Sequence, residues 1–325
     1  MTGASYVSAG IEAVAILFFY IALGWIGSRT LINQELMPGL NRFVYYFAVP
    51  ALLFQSARQI SPEELWKPLP IGALMVGIVL TAMVTVVTSW SVFKTRQGDQ
   101  LVIRQLLTTF SNYAYMGIPV VTAFVGDAGF LAMITIILIT NLVLIGSAQI
   151  LLQTFQRDRS QSLSVGRQIA GVVQQSLLKS PVFLSSVIGL LFSAGDLALP
   201  GVLEKGLNAI GSTTVPLALF CLGAALQFRQ SGSSVLELIT LIAFKLFLHP
   251  SLTVLAIVLL GVSDPIWITV LILMSALPTG ALAHVVAQHH KVYANETSLV
   301  ITVTTLLSLL TLPVWVQIAQ AFVAP

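Results

Sequence analysis

Gly39-Leu40-Asn41, followed by Val49-Pro50-Ala51-Leu52-Leu53-Phe54, returns late in the chain as Gly206-Leu207-Asn208 followed by Val215-Pro216-Leu217-Ala218-Leu219-Phe220. The two prolines stand 166 residues apart in a chain of 325. A second pair, Pro119 and Pro278, repeats at a spacing of 159. Two shifts near half the chain length indicate a duplicated unit.

Composition says what that unit is made of. The chain is 57% hydrophobic and 8% charged, against roughly 25% charged residues in soluble domains. Its 15 Lys and Arg and 12 Asp and Glu cannot supply a polar shell for a soluble globule of this size. Charge-free windows run through Ile71–Phe93, Gln105–Gly126, Phe130–Phe155 and Thr297–Pro325. Each is long enough for a helix crossing the ~30 Å hydrocarbon core. The sequence predicts an all-α membrane protein with ten spans, at about 10–28, 40–58, 69–93, 101–126, 130–152, 180–196, 206–228, 235–261, 265–288 and 297–320. Glu12–Ser28 lacks a preceding basic residue and reads as a retained first span.

Five spans per repeat is an odd number, so the second copy is expected upside down, as in secondary transporters built from inverted repeats with broken helices. The first repeat is assigned to 1–152, a cytoplasmic linker to 153–179, and the second repeat to 180–325. Within the linker, Ile169, Val172, Val173, Ser176 and Leu177 share one helical face, which suits either a membrane-surface helix or a plain connector. Counting Lys and Arg on alternate sides gives eleven inside, three outside and Lys245 within a span. The positive-inside rule then puts both termini outside the cytoplasm of a plasma (inner) membrane.

Proline in a spanning helix removes a backbone hydrogen bond and leaves polar groups to be satisfied at depth. Span four reads Ser111-Asn112-Tyr113-Ala114-Tyr115-Met116-Gly117-Ile118-Pro119, and span nine answers with Ala276-Leu277-Pro278-Thr279-Gly280. Both helices are expected to break at their prolines and cross at the midplane. Their freed N-termini would then face one anion site. The substrate-binding candidates are Asn112, Tyr113, Met116, Gly117, Pro119, Pro278, Thr279 and Gly280, with Thr140 and Asn141 from span five. Asn141 equally suits a bond to a neighbouring helix. Because no Arg or Lys is close to Asn112 in sequence, the site is expected to hold its anion through neutral groups.

Lys245, His249 and His284 lie within spans and are read as coupling groups or structural charges. Lys245 is expected to be compensated by Glu237, two turns back, or by backbone carbonyls. His284 suits either a proton-sensitive role or neutral packing. Other chemistry finds no residues. A single cysteine, Cys221, excludes a disulfide within the chain and multi-cysteine metal sites. Scattered basic residues with a net charge of +3 do not suit nucleic acid. No HExxH pair, nucleophile elbow or paired intramembrane carboxylates appear, so neither an enzyme nor a cofactor or metal site is expected.

At these residues the chain resembles the auxin efflux carrier family, the plant auxin exporters and their prokaryotic relatives. Leu40-Asn41-Arg42-Phe43-Val44 with Phe47-Ala48-Val49-Pro50 is similar to the family's second span. Asn112 with Met116-Gly117-Ile118-Pro119 matches its span-four crossover. Ala276-Leu277-Pro278-Thr279-Gly280, Ala287, Tyr293, Ser298 and Leu312-Pro313 follow its last two spans. Ser185-Ser186 with Ile188-Gly189 fits span six, and Lys245 with Pro250 stands where plant members have Arg and Pro. The resemblance implies a scaffold of spans one, two, six and seven, through which a homodimer would form. It also implies a transport domain of spans three to five and eight to ten that moves as an elevator. It implies a small organic anion as substrate, with Asn112 as a binding residue. Ala73, Gly77 and Leu53 depart from the polar residues of the plant carriers, which points away from auxin; the resemblance to the shorter bacterial members implies acids such as malate or malonate. The alternative is a transporter-like sensor that binds ligand without net transport.

Overall fold

The computed structural model describes residues 3–32, 34–59, 67–156, 181–226 and 232–323. The expected linker lies outside these residues from position 157 onward. Among the described residues the chain is helical, with one isolated antiparallel bridge and no strand. Five stretches are long and apolar enough to cross a membrane: Pro68–Ser91, Gly126–Leu152, Gly201–Ala225, Val235–Leu259 and Ala294–Val323.

The helices are α1 (Gly3–Thr30), α2 (Met37–Phe43), α3 (Val49–Ala57), α4 (Pro68–Ser91), α5 (Gly98–Thr109), α6 (Ile118–Phe124), α7 (Phe130–Thr140) and α8 (Gly146–Phe155). After the undescribed segment come α9 (Pro181–Ala194), α10 (Gly201–Ser212), α11 (Thr214–Ala225), α12 (Val235–Ala243) and α13 (His249–Leu259). The chain closes with α14 (Pro265–Ala276), α15 (Ala281–His290) and α16 (Ala294–Val323).

Several of these helices are continuous through a single widened π turn. Val44–Ala48 joins α2 to α3, Tyr113–Gly117 leads into α6, Asn141–Ile145 joins α7 to α8, and Phe244–Leu248 joins α12 to α13. Three of the four turns end two residues before a proline, namely Pro50, Pro119 and Pro250. A proline ring clashes with the preceding turn's carbonyl and offers no N–H. A π turn moves the bonding from i−4 to i−5 and opens the helix there. Proline therefore widens these helices instead of ending them.

This overturns one expectation. Pro119 does not break span four; it sits in the first turn of α6. The break lies earlier, where α5 stops at Thr109 and Phe110 turns extended (φ −89°, ψ 106°). In span nine the break does contain its proline: α14 ends at Ala276, Leu277 is extended, and helix resumes at Ala281.

The chain forms two compact units. The first comprises 1–67, 114–135 and 177–226. Within it α1 packs along α11, and α3 along α9 and α10. The α1–α11 crossing is tight enough to require glycine: a methyl group on Gly24 would lie 1.9 Å from the Phe220 carbonyl oxygen, and one on Gly223 1.9 Å from that of Ile21. Without water to drive association, such close approach of small residues supplies the packing between membrane helices. The second unit comprises 68–113, 136–176 and 227–325. There α4 packs on α13, α14 on α16 and α5 on α8.

Candidate functional site

Where α5 and α14 end, they satisfy each other. Asn112 N–H donates to the Pro278 carbonyl at 2.8 Å and Gly280 N–H to the Phe110 carbonyl at 2.9 Å, closing an antiparallel bridge between Ser111 and Thr279. The approach requires Gly280, since a methyl there would lie 2.6 Å from both the Phe110 ring and the Ser111 carbonyl oxygen. The remaining helix-end groups find side chains. The Leu107 carbonyl, which would meet the Ser111 N–H in a continuous helix, accepts from the Thr279 hydroxyl at 2.7 Å. The Thr279 N–H donates to Thr304 Oγ1 at 3.3 Å. These backbone groups are thus paired despite the breaks, as apolar surroundings favour.

Lys245, in the π turn between α12 and α13, is fully buried. Its Nζ donates to Ser111 Oγ at 2.6 Å and to the Ser275 carbonyl at 3.0 Å. Ser275 belongs to the last turn of α14, where carbonyls lack helical donors and the dipole favours a cation. Of the two expected compensations, Glu237 is not met and a backbone carbonyl is: from its turn Lys245 reaches the two broken segments. The expectation of a site free of cations near Asn112 falls too, because Lys245 comes from 134 residues away in sequence to bind Asn112's neighbour.

Asn112 is buried, and its side-chain Nδ2 has no hydrogen-bond partner among the described residues. A buried donor left unmade costs about 1–3 kcal/mol, so this amide is free to take a partner. Tyr113 is buried beside it, edge-on to Phe110, with its hydroxyl donating to the Thr109 carbonyl at 3.3 Å. Pro278, Thr279 and Gly280 are buried in the same place. Thr140 and Asn141 lie in this unit, in and beside a π turn packed against α5 and α15. Their side chains bond within their own helix: Thr140 Oγ1 to the Ile136 carbonyl at 2.6 Å, Asn141 Nδ2 to the Ile137 carbonyl at 2.8 Å. Met116, Gly117 and Pro119 are buried in the first unit.

His249, one turn beyond Lys245, has Nδ1 3.1 Å from Thr81 Oγ1, while its buried Nε2 lacks a partner among the described residues. His284 is half-buried on α15. Ser111, Ser275, Thr304 and Thr81 complete the polar cluster and were not anticipated. Their only signal is a hydroxyl amid Leu, Ile and Val.

A second cluster in this unit holds the carboxylate that Lys245 does not meet. Glu237 pairs with Arg104 at 2.6 Å and accepts from the Tyr293 hydroxyl; Arg104 also donates to Thr95 and lies over the Tyr293 ring. Burial, then the bond to Glu237, pushes the Tyr293 hydroxyl above its ordinary titration range, so it remains a donor.

The sequence profile of the membrane transport protein family matches residues 9–316. The chain belongs to that family, the one that holds the auxin efflux carriers. It is similar to a protein of Rhizobium meliloti (strain 1021) named "Putative malonate transporter", with 26% identity over 309 residues, 93% of this chain and 94% of that one. It is also similar to auxin efflux carrier component 8 of Arabidopsis thaliana, with 21% identity covering 87% of this chain and 90% of that one. The family member described here is thus a multi-pass membrane transporter and not an enzyme. Among the described residues, no three His, Cys, Asp or Glu side chains gather to hold a metal ion.

Proposed function

We propose that this chain is a secondary transporter of a small organic carboxylate across the plasma membrane. Its ten spans form two inverted five-span repeats, and its substrate site lies where spans four and nine cross at the midplane. The observation that carries the reading is the pairing of Phe110–Asn112 with Leu277–Gly280. It gathers an unpartnered buried amide, Asn112, and a buried ammonium, Lys245, at one pair of helix breaks. Amide N–H groups and an ammonium are donors only in the direction needed here, which suits an anion and repels a cation.

The inverted repeat draws support from packing inside the first unit. Gly24 lies against the Phe220 carbonyl, and Gly189 lies against the Phe54 carbonyl. Phe54 and Phe220 are 166 residues apart and Gly24 and Gly189 are 165 apart, so one contact is the other with the two halves exchanged. A two-fold relation between repeats produces such reciprocal contacts. Movement of substrate by an elevator-like shift, and termini on the outer face, complete the reading.

The name of the Rhizobium relative makes malonate the first carboxylate to try. Purified protein reconstituted into proteoliposomes should take up radiolabelled malonate, or another member of a panel of mono- and dicarboxylates, with saturation and counterflow. If no carboxylate in the panel is transported and none raises the melting temperature, the reading fails, because a bound ligand must stabilise the folded state.

A further inference from the structure

Lys245 is a buried amine with only neutral partners among the described residues, a serine hydroxyl and a backbone carbonyl. The charged and titratable groups on the elements packed against its turn are otherwise engaged. Glu237 of α12 is bound by Arg104 of α5 and by Tyr293. Asp99 of α5 accepts the Gln100 N–H at the start of its own helix, and Glu296 of α16 accepts the Gly232 N–H in its first turn. The sequences of α4 and α14 contain no ionisable side chain. From α13 comes only His249, with Thr81 on one ring nitrogen. No carboxylate of these elements compensates the ammonium.

A charge removed from water without a counter-charge is strongly disfavoured and tends to lose its proton. A carboxylate bound beside Ser111 and Asn112 would supply the missing negative charge. We infer that the ion coupled to transport is a proton and that Lys245 carries it: the amine takes up one proton as the carboxylate binds and gives it up as the carboxylate leaves. The inference rests on the organic-anion reading above. The step involves one N–H bond. The neutral amine and a proton from the water on the entry side become the ammonium, and the proton returns to water on the exit side with no other bond changed. A monoanion then crosses with no net charge and a dianion with one negative charge.

Linkage sets the pH dependence. Where the empty site is unprotonated, the anion must bind together with a proton, so affinity falls by about tenfold per pH unit as pH rises. A lysine can do this because its proton is removable, whereas an arginine at the same place remains charged at every accessible pH.

The test is calorimetric binding of malonate to the purified full-length protein at pH 8, where malonate is fully ionised. The titration is run in two buffers of different ionisation enthalpy, so that proton uptake is read directly. Wild type should take up about one proton per malonate bound. Lys245→Arg should bind malonate with no proton uptake and a flat pH profile. Lys245→Gln, neutral and still a hydrogen-bond donor, should bind at least tenfold more weakly, also without uptake. His249→Gln should keep the uptake, which separates the two buried bases. Malonate binding to wild type with no proton uptake overturns the inference alone. So does uptake that persists in Lys245→Arg or disappears in His249→Gln. If no carboxylate binds at all, the organic-anion reading fails first and the inference goes with it.

Discussion

Trp315 donates its indole N–H to the Leu246 carbonyl at 3.0 Å, across 69 residues of sequence. That oxygen is the one which Pro250, four residues further on, leaves without its usual helical donor. The bond ties α16 to the turn that carries Lys245. Trp315→Phe keeps most of the ring and removes the donor, so a buried carbonyl loses its partner. Thermal unfolding in detergent should show a loss of about 1–3 kcal/mol. An unchanged melting temperature would mean that the Leu246 oxygen finds another donor.

Gly280→Ala tests the meeting of the two broken segments. A methyl group there would meet the Phe110 ring and the Ser111 backbone oxygen at 2.6 Å, and the backbone cannot simply rotate away. Overpacking of this kind costs about 1–3 kcal/mol. Because the displaced atoms flank Asn112, carboxylate binding should fall further than stability does. A thermal melt and a malonate titration on the same preparation compare the two.

Arg104 and Glu237 form a buried ion pair at 2.6 Å, and removing one partner leaves the other charged and unpaired. Arg104→Met should therefore destabilise the protein by about 3–5 kcal/mol. The double replacement Arg104→Met with Glu237→Leu should recover much of that loss, since a well-packed apolar pair avoids the desolvation penalty. Chemical or thermal unfolding of the single and double variants gives the comparison. A double variant no more stable than the single would show that the pair's remaining bonds, to Thr95 and Tyr293, carry the structure here.

The proposed orientation rests on the eleven-to-three distribution of Lys and Arg. In a Cys221→Ser background, Ser162→Cys should react with an impermeant maleimide only after the membrane is permeabilised. Labelling in intact cells would invert the topology.

How much of this was legible depends on the range of the interaction. The membrane class and the limits of the helices follow from local composition. The proposed repeat rests on Pro50 and Pro216, and the reciprocal Gly24 and Gly189 contacts support it. Pro119 misled because proline is a local signal with two structural answers. Beside a π turn it is absorbed into a continuous helix. The break at Phe110–Asn112 has no proline at all; it is held open by bonds to Pro278 and Gly280, far off in sequence. For Lys245 the backbone-carbonyl expectation holds, and the Glu237 one fails for the same reason. Glu237 is two turns away along its helix, but its carboxylate is taken by Arg104. The partners Lys245 does bind come from Ser111 and Ser275.

Asn112 is the residue on which the organic-anion reading depends most directly. Its side-chain Nδ2 is buried and unpartnered among the described residues, so removing it frees no partner and disturbs little packing. Asn112→Ala should leave the melting temperature almost unchanged while weakening malonate binding about ten- to a hundredfold, the equivalent of one or two charge-assisted hydrogen bonds. Asn112→Asp should be worse for binding. A carboxylate there competes with the substrate for Lys245, the donor to the neighbouring Ser111, and it repels the incoming anion in a low-dielectric setting. The same substitution should raise stability slightly, because it supplies the counter-charge that Lys245 lacks. Loss of affinity together with a gain in melting temperature is a combination that a merely structural asparagine would not produce. If Asn112→Asp binds malonate as well as wild type, the anion does not sit at this asparagine.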